Sequence, residues 1–540
     1  MKKQINLLAL AAILCLCLNS CKKSPEVGTE VPDPNPPVST AVVTVKEGDF
    51  TYTSDYPYNL NLVYFVPADF PEVPDYHRRV SEYMLHMRAF TAKWMKHWGY
   101  GDRTFGLLTD VAKQRVRITL IRGKLLKKDY PYEGGGSKIK TEIDAYYAAN
   151  PDQKTSDHYF VLVPNDLIND NRDSPFYGMG RYAYALDSEG IEVKNMGKPG
   201  PAGAYAQWIG GLFHELGHGL NLPHSKGPES EANDTNFGME LMSSGNSTYG
   251  SSPTYLSAFS TAILNKSQIF SKEKITFYGP VTAKITKITG KYSAGNMIIS
   301  GKFSSTVPVS DVILRFQRPS VDAGGYQAEG IRTKIIQTDS FYVSIPVSDI
   351  KVKDNTPYSL QAILVHQNGV LTWSENPVQF VNGIPKFHFS SEKDEFSKTP
   401  WKVTAVTSQE NGGEGPNNGL GIHMIDNDLS TVWHTRWTGS NPPALPHSVT
   451  VDMGKENLTK GFSMVQRSGS MSSMSKEIEI SVSSDGTTWE SVLNITMAQN
   501  NYFQYFDLPA AKTFRYFKIT AKSAYTPNPA NASIAEVGAY

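Results

Sequence analysis

Three histidines and one glutamate lie within eleven consecutive residues, and this cluster is the strongest chemical signal in the 540-residue chain. Residues 214–224 read His-Glu-Leu-Gly-His-Gly-Leu-Asn-Leu-Pro-His. On a helix, His214 and His218 share one face, so both imidazoles can reach one zinc ion. Glu215 is rotated away from that face, which suits a general base acting on a zinc-activated water. The spacing therefore predicts a catalytic metal site.

The flanking residues predict a helix that ends soon after His218. Gly219 weakens the helix and Pro223 cannot lie in its interior. Asn221 is the best non-glycine candidate for a left-handed residue at the helix C-terminus, which would turn His224 back toward the metal. Three protein ligands with one open position are typical of a catalytic zinc site. The apolar residues at helical spacing are Tyr205, Trp208, Ile209, Leu212, Phe213 and Leu216.

Composition narrows the set of metal ligands. The three cysteines lie at positions 15, 17 and 21, so disulfides and cysteine zinc ligands are excluded beyond Cys21. Three histidines at these spacings are expected by chance about 0.006 times in a chain of this histidine content. One alternative stays open, in which Glu229 or Glu231 is the third ligand, but His224 is better placed.

The motif resembles the signature of the metzincin zinc peptidases, His-Glu-x-x-His-x-x-Gly-x-x-His. The chain matches the signature at His214, Glu215, His218 and His224, and it has Asn221 where most members have glycine. The resemblance implies an α/β metzincin-like catalytic domain that uses Zn²⁺ to hydrolyse peptide bonds.

Metzincins also carry a methionine-containing turn after the third histidine. The candidate here is Met242, in the run Glu-Leu-Met-Ser-Ser-Gly, and Met239 is the second candidate. The resemblance implies that Met242 supports the zinc site from below without coordinating, although a single methionine is also an ordinary core residue. No tyrosine follows two residues after Met242, so an extra tyrosine ligand is not predicted.

The N-terminus carries a targeting segment over residues 1–20. Lys2 and Lys3 precede the apolar run Leu7–Leu18, which is too short to cross a membrane. The run ends in Leu-Asn-Ser before Cys21 and resembles a bacterial lipoprotein signal. This implies a lipidated Cys21 and a secreted, membrane-anchored protein on the periplasmic side or the cell surface. The alternative for residues 1–20 is a plain secretory signal. The following segment, residues 21–48, is rich in proline, which predicts an extended tether.

We assign residues 49–278 to the catalytic domain because strands alternate with helices there, which predicts an α/β sheet. An extended substrate would lie along an edge strand, with Tyr182–Leu186 as the candidate. The predicted strands are Leu60–Val66, Val116–Ile121, His158–Val163 and Arg181–Leu186, and the predicted helices include a long one with Val80 and Trp98, Ser137–Ala149 and a closing helix over Tyr255–Phe270.

Residues 279–388 predict an Ig-like β-sandwich. Short alternating runs follow one another there, separated by turns such as Asn368-Gly369. The segment carries no recognisable chemistry, so its expected role is that of a spacer.

Residues 391–540 resemble the discoidin, or coagulation factor 5/8 type C, family. The matching pieces are Ile425–His434, Val451–Gly454, Val482–Gly486 and Arg515–Phe517. The resemblance implies an eight-stranded β jelly roll that binds a ligand. Arg467 and Trp437 are the candidate ligand-binding residues for a glycan. No asparagine follows Arg467 closely, and Trp437 can equally be packed in the core.

A calcium site is also predicted in this domain. Asp426, Asp428 and Thr431 present oxygens at the short spacing that Ca²⁺ sites use. In bacterial members of the family a structural calcium lies at this loop and is completed near the chain end, and the resemblance implies Glu536 for that position here. The alternative is that Asp426 and Asp428 only form turns.

The chain has 52 basic and 52 acidic residues and no basic block, so nothing indicates a nucleic acid partner. The sequence as a whole predicts a lipid-anchored zinc endopeptidase that acts on proteins or peptides, with further domains that tether and target it. The alternative is a glycan-binding adhesion lipoprotein whose peptidase-like domain binds zinc but is weakly active. An intact Glu215 argues against that alternative, because a scaffold needs no general base.

Overall fold

A computed structural model describes residues 42–166, 173–468, 470–526 and 531–540. The predicted signal segment, most of the predicted tether and the lipidation candidate Cys21 lie outside the described residues. Within the described part of the chain, no helix combines the length and the apolar composition needed to cross a membrane.

The N-terminal domain is built on a mixed five-stranded sheet. The strands described in this domain, over all of its sheets, are β1 (Val43–Glu47), β2 (Phe50–Ser54), β3 (Asn61–Val66), β4 (Thr109–Asp110), β5 (Arg115–Val116), β6 (Thr119–Arg122), β7 (Tyr159–Pro164), β8 (Tyr177–Met179), β9 (Tyr182–Asp187), β10 (Met239–Glu240) and β11 (Thr254–Tyr255). The main sheet has the order β6-β3-β7-β9-β8, and only β8 runs antiparallel. Strands β1, β2, β4 and β5 form a smaller sheet, and β10 pairs with β11.

Helices cover both faces of the main sheet. Successive residues of β3 face opposite sides, and every residue of β3, β7 and β9 is buried, as expected for a sheet covered on both faces. Tyr64 packs in the cluster that contains the apolar faces of α1 and α4, whereas Val63 packs with α2. The helices are α1 (Tyr76–His97), α2 (Tyr132–Ala149), α3 (Pro201–Ala206), α4 (Trp208–Gly219), α5 (Glu229–Ala232) and α6 (Ala258–Leu264).

Three local predictions for this domain need correction. The strand expected over Val116–Ile121 is split between β5 and β6, and the closing helix is only α6 followed by a 3₁₀ turn at Gln268–Phe270. The edge strand of the main sheet is β8 rather than Tyr182–Leu186, because β8 pairs with the outer side of β9. The sequence did not reveal β8, since three residues are too few for an alternating pattern.

The second domain is the predicted β-sandwich. Its two sheets have the orders β12-β13-β17-β16 and β15-β14-β18-β19-β20 and enclose a single apolar cluster. The second sheet also packs on the N-terminal domain, since Ile313 and Ile363 belong to the same buried cluster as α1, α4 and α6. The strands are β12 (Ala283–Ser293), β13 (Asn296–Ser305), β14 (Val309–Gln317), β15 (Glu329–Arg332), β16 (Lys334–Gln337), β17 (Ser340–Pro346), β18 (Tyr358–His366), β19 (Leu371–Val381) and β20 (Ile384–Phe387).

The C-terminal domain is a second all-β unit with its own core, centred on Trp433, Phe462 and Phe517. Eight strands are described in it, which is the predicted number. Six of them form one sheet and β22 pairs with β27. The strands are β21 (Lys402–Val406), β22 (Trp433–His434), β23 (His447–Val465), β24 (Glu477–Ser483), β25 (Glu490–Thr496), β26 (Gln504–Ala521), β27 (Ser533–Ile534) and β28 (Glu536–Ala539).

Candidate active site

Helix α4 carries the first two histidines and the glutamate of the motif. The helix ends at Gly219, and Asn221 adopts the predicted left-handed conformation with φ of 67°. The chain therefore reverses direction and brings His224 beside the helix. Gly217 leaves room beneath the helix for Met242, because a Cβ added at this glycine would lie 2.4 Å from the methionine sulfur.

The Nε2 atoms of the three histidine rings face one another. The Nε2 atom of His224 lies 3.1 Å from that of His214 and 3.0 Å from that of His218. Each Nδ1 atom instead contacts a backbone carbonyl, and because a carbonyl oxygen only accepts, each Nδ1 carries the hydrogen. The unprotonated Nε2 lone pairs therefore converge. The carbonyls belong to Leu241, Leu222 and Gly324, at 2.9, 2.9 and 2.8 Å.

This donor set fits a zinc ion. Tetrahedral coordination with Zn–N bonds of 2.0–2.1 Å needs nitrogens about 3.3 Å apart, close to the spacing observed. Zinc binds neutral imidazole, and burial lowers the pKa of His214 to about 3 and that of His224 to about 4. Among the described residues, these histidines are the one group of three or more His, Cys, Asp or Glu whose ligand atoms all lie within 4.8 Å of one another.

Glu215 lies beside the histidine cluster without belonging to it, as its spacing predicts. Its carboxylate accepts a hydrogen bond from the backbone N–H of Gly178 on the edge strand β8. Burial raises the pKa of Glu215 to about 8, although the hydrogen bond from Gly178 acts in the opposite direction. The side chain lines the open cleft, where it can reach a water molecule, and its ionised form can take a proton from that water.

The alternative third ligands point elsewhere. The Glu229 carboxylate lies 2.7 Å from the Lys226 ammonium, and the half-buried Glu231 lies near Glu240 and Tyr255. Neither glutamate joins the histidine group. The geometry thus favours His224.

The position below the histidines belongs to Met242. This residue is fully buried in the core cluster that also contains α4. Met239, the second candidate from the sequence, is 50% exposed. Of the two methionines, only Met242 has the placement that the metzincin resemblance implies.

The cleft over the histidines has a volume of about 830 Å³ and is formed by two domains. The prediction that the β-sandwich is only a spacer is therefore wrong. The Tyr326 ring stacks on the His224 ring with the centroids 3.7 Å apart. The sequence did not reveal that the sandwich lines the cleft, because no motif marks these residues and they lie about a hundred positions from the histidines along the chain. The sandwich residues that line the cleft are Tyr326, Gly369, Val370, Leu371 and Trp373.

The C-terminal domain brings its two candidate ligand-binding residues together. Arg467 donates to both carboxylate oxygens of Glu414, at 3.3 and 3.0 Å, and the Trp437 indole N–H donates to the same carboxylate at 3.0 Å. His434 lies 3.7 Å from that carboxylate. Trp437 is 40% exposed, so its side chain is not packed in the core of the domain. Sequence reasoning missed Glu414, which joins the cluster from a loop outside the recognised motifs.

The predicted calcium residues lie near one another but already have partners. The Asp426 carboxylate accepts hydrogen bonds from the Thr431 hydroxyl at 2.8 Å and from the Asp428 N–H at 2.9 Å. Glu536 lies 2.6 Å from the buried Lys398 ammonium. Burial raises the pKa of Glu536 to about 8, and the charge of Asp426 adds to that shift. The calcium site stays a prediction.

Comparison with known proteins identifies two parts of the chain. Residues 402–537 match the F5/8 type C domain, so the C-terminal domain is of the predicted type. A crystal structure of OgpA from Akkermansia muciniphila matches with 31% sequence identity and a TM-score of 0.57, covering 64% of this chain and 98% of the OgpA chain. The chain belongs to the same family as OgpA. A catalytically inactive OgpA, 30% identical, was crystallised with an O-glycopeptide substrate, glycodrosocin.

A curated relative matches over a shorter stretch. The sialidase of Micromonospora viridifaciens is 27% identical over 135 residues, which is 25% of this chain. This chain spans about a fifth of the length of that sialidase. The comparisons do not confirm the metzincin assignment or the zinc ion, which stay predictions.

We expect His224→Ala to weaken zinc binding by at least about 100-fold, because two imidazoles remain where three converge. Glu229→Ala is the matched control and should leave zinc affinity unchanged, since its carboxylate faces Lys226. Titration of the metal-free proteins against a chromophoric chelator measures both affinities. Loss of zinc only in the Glu229 variant would show that the third ligand has been wrongly assigned.

Proposed function

We propose that this protein is a zinc-dependent hydrolase of peptides that carry O-linked glycans. The observation that carries the proposal is the convergence of three imidazole Nε2 atoms beside Glu215 in an open cleft. Membership in the OgpA family supports a glycopeptide as substrate, since inactive OgpA was crystallised with one. This proposal adds a glycan to the endopeptidase predicted from the sequence.

The residues of the cleft have separate tasks in this proposal. His214, His218 and His224 would hold the metal, which supplies Lewis acidity for the carbonyl and the attacking water. The water oxygen adds to the carbonyl carbon while the ionised Glu215 carboxylate takes one of its protons. Glu215 then passes that proton to the nitrogen of the leaving amine as the C–N bond breaks. The N–H of Gly178 holds the Glu215 carboxylate in place.

The edge strand and the aromatic side chains suit an extended, glycosylated chain. Strand β8 is the last strand of the main sheet in the part of the chain that the structure describes, so a substrate can add to it as a further strand. Tyr132 is 46% exposed and Trp373 is 39% exposed, and both line the cleft. Flat aromatic faces with polar edges suit the mixed apolar and polar faces of a sugar ring.

Glycan binding by the C-terminal domain is a second function that one observation favours. Trp437 presents an exposed ring, and beside it Glu414 holds Arg467 through two hydrogen bonds. The sequence also predicted an alternative function, a glycan-binding lipoprotein. The comparisons support glycan binding better than they support an endopeptidase without a preference for glycans. We propose that both functions coexist, with the C-terminal domain retaining the enzyme on glycosylated substrate.

We expect Glu215→Gln to lower kcat on an O-glycosylated peptide by on the order of 10²–10⁴-fold, because the amide cannot accept the proton. Zinc content should stay at the level of the unaltered protein. Glu189→Gln, at an exposed position, is the control and should retain full activity. Mass spectrometry of the glycopeptide and of its unglycosylated counterpart, each with and without a chelator, gives the rates.

Two results would contradict this proposal. Equal cleavage of the two peptides would remove the glycan from the substrate definition. Chelator-resistant cleavage, or full activity of Glu215→Gln, would remove the metal-assisted mechanism.

Trp437→Ala should weaken binding to galactose immobilised on agarose by about tenfold, the effect of losing about 1.4 kcal/mol of contact. Trp489→Ala is the control in the same domain, because Trp489 packs against Lys518 away from the cluster. Affinity chromatography with galactose elution compares the variants. Equal retention of the two variants would place the glycan site elsewhere.

We also propose that the loop at Asp426 binds calcium. Calcium at a hundredfold excess over its Kd would stabilise the folded domain by about 2.7 kcal/mol. Adding calcium, with zinc held constant, should therefore raise the melting temperature of the protein, and Asp426→Asn should abolish the increase. An unchanged melting temperature would leave the loop as an ordinary turn.

A further inference from the structure

The third histidine is held by the β-sandwich rather than by its own domain. The Nδ1–H of His224 donates to the carbonyl of Gly324 at 2.8 Å, and the guanidinium of Arg315 donates to the backbone carbonyl of His224 at 2.8 Å. His214 and His218 differ, because their Nδ1 acceptors lie in the catalytic domain. Two ligands are thus fixed within one domain and the third is fixed from outside it.

The residues after His224 continue this attachment through a single β-bridge. The backbone N–H of Lys226 donates to Ala328 at 2.8 Å, and the N–H of Gly330 donates to the carbonyl of Lys226 at 2.7 Å. These bonds form a parallel bridge between Lys226 and Glu329 at the edge of the second domain. The Lys226 ammonium lies 3.3 Å from the Glu329 carboxylate. The segment behind the third ligand is therefore hydrogen-bonded to the sandwich.

The loop 322–326 fixes the His224 ring from its face. The Tyr326 ring stacks on it at an interplanar angle of 24°. The loop is closed by Asp322, whose carboxylate accepts the N–H groups of Tyr326 at 3.2 Å and Gln327 at 2.7 Å. Ser243, next to Met242, donates its hydroxyl hydrogen to the Tyr326 carbonyl at 2.8 Å. One loop therefore contacts both the ligand and the residues below the site.

Arg315 is the residue that joins these parts. It is 5% exposed, and its guanidinium bonds uncharged acceptors on both sides of the domain boundary. The planar guanidinium has five N–H donors, so it can bond four acceptors at once, whereas a lysine ammonium has only three donors. The acceptors are the carbonyls of His224 and Gly325 and the side-chain oxygens of Gln317 and Gln361, at 2.8, 3.2, 2.8 and 2.6 Å.

We propose that the β-sandwich is an integral part of the metal centre, in which Arg315 and the loop 322–326 position His224 and complete the three-histidine site. This inference rests on the metal site of the proposed function but not on its substrate. It makes Arg315 a positioning residue, since its guanidinium contacts the ligand's backbone and not the metal. Partners that orient a metal ligand contribute about 10–100-fold to metal affinity.

The test compares two interdomain arginines. Arg315→Met keeps the bulk of the side chain and removes the donors, and zinc affinity should fall by about tenfold or more. Arg332→Met is the matched control, because Arg332 also links the domains, bonding Asp311 and lying over the Tyr100 ring at 4.6 Å, but has no contact with His224. Its zinc affinity should equal that of the unaltered protein. Competition with a chromophoric chelator measures affinity without requiring activity.

A second variant keeps the test decisive if Arg315→Met does not fold. Asp322→Ala leaves the buried arginine intact and releases the loop that carries Gly324 and Tyr326, so it should also weaken zinc binding. Circular dichroism of the metal-free proteins shows which variants are folded. Folded Arg315 or Asp322 variants with unchanged zinc affinity would overturn the inference. If zinc affinity depends on Arg315 but no glycopeptide is cleaved by the unaltered protein, the inference stands and the proposed function fails.

Discussion

The convergence of three imidazole nitrogens is the constraint on which the rest of the site depends. Unprotonated nitrogens about 3 Å apart repel one another unless a cation lies between them. Each ring is held against that repulsion by one hydrogen bond from Nδ1 to a backbone carbonyl. The three carbonyls belong to three separate segments, so the folded chain must fix all of those segments at once.

The segments are fixed by buried polar contacts as well as by the apolar core. His158 lies fully buried beneath the end of α4 and donates from Nδ1 to the carbonyl of Gly219 at 2.8 Å. Its other ring nitrogen accepts from the Tyr278 hydroxyl at 2.5 Å. Burial lowers the pKa of His158 to about 4, so it stays neutral and keeps this pattern of donor and acceptor at physiological pH. Tyr278 lies where the chain leaves the N-terminal domain, and it also lines the cleft.

The domains are therefore coupled through the site itself. The sandwich contacts His224 directly, and Tyr278 connects the domain boundary to the end of the helix that bears His214 and His218. A molecule bound in the cleft would contact both domains, because residues of both line it. In the F5/8 type C domain, Glu414 plays a comparable part by bonding both Trp437 and Arg467. In both places a candidate site depends on contacts between distant parts of the chain.

The sequence alone determined the local features of this protein. Three such features are the four-residue spacing of His214 and His218, the apolar stripe of α4 and the left-handed Asn221. Each depends only on neighbours within a few residues, so the regular geometry of a helix predicts it from the sequence. The tertiary structure alone decided that Gly324, Arg315 and Tyr326 complete the site. These residues lie about a hundred positions away, and no spacing rule relates residues that meet only after two domains have packed. Side-chain periodicity is a local property, whereas contact between domains is set by the packing of whole surfaces.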